Sequence, residues 1–92
     1  MTNGEIVEEL RALIVAAAPD PAQAAPVQTC RADALLDDLI PFSSVIVLGV
    51  VIAVEDRFGI RVSRRAFLDA CAGGATLDGL ASMITKLQAP AP

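Results

Sequence analysis

Ser43 and Ser44 stand between Pro41-Phe42 and ten uncharged, almost wholly apolar residues, Val45 to Val54. Glu55-Asp56-Arg57-Phe58-Gly59-Ile60 follows. This order predicts a hydroxyl at the start of a buried helix. A helix N-terminus carries a partial positive charge and tolerates an attached phosphate. Ser43 is the expected N-cap, its hydroxyl accepting from the amide of Val45 or Ile46. Ser44 is then the first helical residue, with a hydroxyl that no capping bond occupies. It is the better acceptor for a covalent group, and Ser43 the better structural residue. The chain offers little other chemistry, since it has no histidine, tryptophan or tyrosine and only two cysteines.

Glu55 and Asp56 are adjacent, so on a helix their side chains diverge by about 100°. With no histidine beside them they read as a solvated helix end, not a catalytic pair. Asp37-Asp38 is no recognisable metal-ligand set, and we expect no metal site and no catalytic residue. Gly73-Gly74 lacks the Lys-Ser/Thr and the preceding strand of a phosphate loop. Arg61, Arg64 and Arg65 form a small basic cluster, either a solvated patch or a rim for a partner. Cys30 and Cys71 read as free thiols of a reducing compartment. The formal charge of −4 argues against non-specific nucleic-acid binding, which needs a positive surface. The N-terminus lacks the pattern of a signal peptide. Val45 to Val54 falls short of the ~20 apolar residues of a membrane span. A cytoplasmic protein with no nucleic-acid or membrane partner is expected.

The elements that must position these residues are helices. Thr2 and Glu5 make a capping-box pattern, and Ile6, Leu10, Leu13, Ile14 and Ala17 recur at helical spacing up to Pro19 and Pro21. Residues 19 to 29 read as part of a long surface loop, and Thr29 as the cap of a short turn through Leu35, Leu36 and Leu39, closed by Ile40-Pro41. Val45 to Val54 is rich in β-branched residues, which favour a strand. The uninterrupted stretch from Ser44 to Phe58 is too long for one, and helix is the reading. Val47, Val51, Val54 and Phe58 then share one face, expected to point inward with Ile6, Leu10, Leu80 and Ile84. Gly59 suits the C-terminal cap. Ser63 caps a shorter helix through Phe67, Leu68 and Ala70. Thr76 caps a last one carrying Leu77, Leu80, Ala81, Ile84 and Leu87. The expected fold is all-α: one small four-helix bundle over residues 1–87, with a long loop between the first two main helices and a short third helix. Residues 88–92 form an expected disordered tail.

The stretch from Leu39 to Ile84 resembles the acyl carrier protein family. The matching pieces are Ser43-Ser44-Val45, Glu55-Asp56-Arg57-Phe58-Gly59-Ile60, and Thr76 with Leu80. The family's serine-to-phenylalanine spacing, counted back from Phe58, lands on Ser44. Ser43 replaces the family's usual aspartate and Val45 its usual leucine. The resemblance implies a 4'-phosphopantetheine arm on Ser44, moved there from coenzyme A by a phosphopantetheinyl transferase with Mg²⁺. The arm would hold an acyl group as a thioester, presented to acyl-loading and polyketide synthase-type enzymes, and the carrier itself would not be an enzyme. The acidic central helix usual in fatty-acid carriers is lacking, so a free-standing carrier of a polyketide or related secondary pathway is expected. An aminoacyl or peptidyl cargo is the alternative. A different class of function is an unprimed helical interaction module docking through its apolar central helix. In either case the expected docking face is Val45, Ile46, Gly49 and Ala53, opposite the core stripe, with Arg61, Arg64 and Arg65 as its charged rim.

Overall fold

Thr2 begins the first helix, α1 (Asn3–Ala17), with the capping box its sequence predicts: its hydroxyl accepts from the Glu5 amide and Glu5 returns to the Thr2 amide. In the computed structural model residues 2–18, 20, 22–39 and 44–88 are described. Three further helices follow: α2 (Ser44–Phe58), α3 (Arg64–Ala70) and α4 (Leu77–Gln88). Among the described residues there is no strand, and the chain is a small all-helical bundle. No helix there is long and apolar enough to cross a membrane. Ser63 caps α3 by accepting from Ala66, and Thr76 caps α4 by accepting from Gly79, both at 3.0 Å. Helix α4 runs through Gln88, one residue into the expected tail. The remaining tail residues, 89–92, lie outside the described residues.

Helix α1 packs against both α2 and α4. Its stripe of Ile6, Leu10 and Ile14 is buried with Leu77, Leu80, Ala81 and Ile84 of α4, as the periodicity predicts. Val7 and Met83 also join this core. Helices α1 and α2 run antiparallel. Gly49 faces Ala17, and eight residues on, Arg57 pairs with Glu9, eight residues back.

The connection between α1 and α2 departs from the expected surface loop. It forms two 3-10 turns, Ala25–Gln28 and Leu36–Asp38. Thr29 follows the first turn and does not cap a helix. Val27 and Leu36 are fully buried and act as two plugs in the core. Single anchors of this kind carry no period, so pattern reading passes over them. Polar bonds fix the strap. The Arg11 guanidinium donates to the carbonyls of Val27 and Cys30, each at 2.8 Å. The Leu36 amide donates to Ala75 and the Asp78 amide to Ala32. The last of these bonds satisfies one of the amides that an α-helix leaves open at its start, so the strap and α4 complete each other.

Candidate functional site

Helix α2 starts at Ser44 and runs unbroken for fifteen residues to Phe58. Gly59 ends it at φ +64, the left-handed conformation that glycine adopts without penalty. The Ile60 amide then donates back to the Glu55 carbonyl at 3.3 Å. The Ser44–Phe58 spacing therefore lies within one rigid element, roughly 21 Å long at 1.5 Å per residue. The α1–α2 register carries the first residues of α2 past the last residue of α1, to one end of the bundle. Ser43, the expected cap, lies outside the described residues.

The far end of α2 is a tied corner. The Glu55 carboxylate accepts from the Val62 amide at 2.9 Å, which holds the extended link onto the helix. Arg57 makes two parallel bonds to the Glu9 carboxylate, at 3.1 and 3.2 Å, and its guanidinium lies 5.6 Å from the Phe58 ring centre. Glu55 is thus a half-buried structural acceptor, and the expectation of a solvated Glu55-Asp56 end holds only for the exposed Asp56. Phe58 is half-buried, so its truncation costs less than the ~3–5 kcal/mol of a fully buried aromatic.

The orientation of α2 corrects the expected core and docking faces. Ile46, Val50 and Val54 point into the core, with Ile46 only 5 % exposed. Val47 and Val51 are half-buried at its flank. The first half of α2 is turned by about one residue, roughly 100°, from the stripe that spacing alone selects. Ile46 therefore does not belong to an outer face. Gly49 does not either: a Cβ there would meet the Ala17 Cβ at 3.4 Å, so the glycine marks where α1 lies close. Of the expected face, Val45 is outward, at 70 % exposure. Leu48, at 62 %, and Ile52, at 57 %, complete the outer stripe. Gly49 was the signal in the sequence: the smallest residue of an apolar helix marks the side nearest a neighbour.

Beside that stripe, between α2 and α3, lies an open groove of about 670 Å³. Its apolar walls are Val47, Leu48, Val51, Val62, Phe67 and Leu68, and Ser63 and Arg64 complete its lining. Arg61 and Arg65 are exposed nearby in sequence. The described ion pairs join Arg11 to Glu8, Arg31 to Asp33 and Arg57 to Glu9. None involves Arg61, Arg64 or Arg65. Cys30 and Cys71 are free and half-buried, and burial, then the charge of Asp37, raises the Cys71 thiol pKa. Among the described residues no three Cys, Asp or Glu side chains gather as a metal would need. Comparison with protein-family models, with curated proteins and with solved structures found no match.

Proposed function

We propose that this chain is a carrier domain of the acyl-carrier type, bearing a 4'-phosphopantetheine arm on Ser44. The carrying observation is the unbroken helix from Ser44 to Phe58, closed by Gly59 at positive φ. A serine at its first position and a Phe-Gly-Ile corner at its last form one rigid unit, as the family resemblance requires. Two features support the fit of a phosphate ester. The first turn of α2 contains no acidic residue, so the positive end of the helix faces no carboxylate from its own sequence. The start of α2 also extends past the last residue of α1, so that helix does not pack alongside it. In this reading coenzyme A and a phosphopantetheinyl transferase supply the arm. Its terminal thiol carries the cargo as a thioester, and the partner enzymes do the chemistry.

The apolar outer stripe of α2 favours a polyketide-type or aminoacyl carrier over a fatty-acid carrier with an acidic central helix. The same stripe supports a second reading, an unmodified interaction module. Intact mass after co-expression with a broad-specificity phosphopantetheinyl transferase separates the two. The expected result is a gain of one phosphopantetheine, lost in Ser44→Ala and kept in Ser43→Ala. An unchanged mass in a folded chain overturns the carrier reading. A gain that survives Ser44→Ala and disappears in Ser43→Ala moves the site by one residue.

A further inference from the structure

The groove between α2 and α3, with Arg64 in its lining and Arg61 and Arg65 close to it in sequence, is used by nothing so far described. Val45, Leu48 and Ile52 of α2 and Leu68 of α3 each expose more than half of their surface. Two of them, Leu48 and Leu68, line the groove together with Arg64. Large exposed side chains clustered around a concavity mark a docking surface more often than scattered ones do. Charge selects the occupant. The chain carries a formal charge of −4, yet Arg61, Arg64 and Arg65 fall within five residues and have no acidic partner among the described residues. The acidic residues near them in sequence form no ion pair with them. Glu55 holds the Val62 amide. Asp69, four residues after Arg65, forms no ion pair with it.

We infer that this face binds an amphipathic helical segment of a partner protein, apolar along one side and acidic at its edge. Its apolar side chains would fill the groove between Leu48 and Leu68, and its carboxylates would meet Arg64 and the neighbouring arginines. A helix lying in a groove between two helices reads such a surface through residues spaced three and four apart. The acidic edge sets orientation and excludes basic partners. The inference stands whether or not Ser44 carries an arm, so it is tested on the unmodified chain.

The probe is a pair of synthetic helical peptides. Both carry leucines at i, i+3, i+4 and i+7; one has glutamate and the other lysine at every flanking position. Each is titrated into the ¹⁵N-labelled chain and followed by amide chemical shifts. The glutamate peptide is expected to move the amides of Leu48, Ile52, Arg64 and Leu68, and to bind at least about tenfold more tightly than the lysine peptide, a difference of about 1.4 kcal/mol. Arg64→Glu should reverse that preference. Leu48→Asp should weaken both peptides while its amide spectrum stays dispersed; if it unfolds, Leu68→Ser makes the same test from the other wall. Equal binding of both peptides, shifts confined to another face, or an Arg64→Glu chain that keeps the glutamate preference overturns the inference. So does self-association of the chain through Leu48 and Ile52 in sedimentation. Binding through the same residues to anionic phospholipid vesicles, with no peptide preference, overturns it as well.

Discussion

Ile46 and Leu48 are both large aliphatic residues two positions apart in an uncharged run, and their environments are opposite. Ile46 is 5 % exposed and lies in the core with Val50 and Val54. A carboxylate there would be desolvated in an apolar core, and burying a charge costs several kcal/mol. Ile46→Asp is therefore expected to lower stability by more than about 3 kcal/mol. Leu48→Asp, on the outer stripe, is expected within about 0.5 kcal/mol of the parent, as for surface substitutions away from special features. Urea denaturation of the two variants checks this directly. Equal stability of both would mean that α2 is turned differently. The same comparison shows why Ile46 cannot serve as a neutral probe of docking: its loss of binding would be a loss of fold.

Arg11 shows how one side chain organises a whole connecting strap. Its guanidinium reaches the carbonyls of Val27 and Cys30 while also bonding Glu8. Its aliphatic stem is the reason a charged residue can sit this close to the core. Arg11→Ala leaves both carbonyls without that donor, at about 1–3 kcal/mol for lost bonds to a charged group. The expected readout is local: faster amide exchange at Val27, Thr29 and Cys30, with α4 amides slowed as before. Arg11→Lys should recover only part of the effect, because an ammonium is a point charge and not a planar fork. Uniform acceleration across the chain would instead mean that the strap and the helices open as one unit. The short α3 contrasts with this. It has no fully buried residue, and its Ser63 cap and the Glu55–Val62 bond hold it in place at one end. A partner seated in the adjoining groove would cover its exposed Leu68.

The bundle as a whole depends on how closely α1 and α2 approach, and Gly49 sets that distance. A methyl at this position would reach the Ala17 Cβ at 3.4 Å, an ordinary contact, and alanine is a better helix former than glycine by up to about 1 kcal/mol. Gly49→Ala is expected to keep or raise the thermal midpoint. Gly49→Leu has no room and should lower stability by about 1–3 kcal/mol, the usual cost of overpacking. A tolerated Gly49→Leu would show that the two helices are farther apart than described. With the Arg57–Glu9 pair at the other end of the same interface, Gly49 keeps α2 in the register that leaves its first residues at the end of the bundle.

Helix positions and their caps were legible in the residues themselves. Thr2, Gly59, Ser63 and Thr76 each act through bonds or backbone angles within a few positions of their own, and such local chemistry depends little on the rest of the fold. The buried stripes of α1 and α4 were legible for a related reason: charged residues interrupt the apolar ones there, so the apolar side of each helix is set off from its charged side. Helix α2 has no such contrast. Val45 to Val54 is apolar all round, so several rotations bury similar areas, and the packing of Gly49 against Ala17 decides among them. The tertiary structure alone decided that Ile46 is core and Leu48 surface, that Val27 and Leu36 plug the bundle through a strap without periodicity, and that Arg64 shares a groove with Leu48 and Leu68. Each of these depends on contacts between residues far apart in the chain, which no local pattern records.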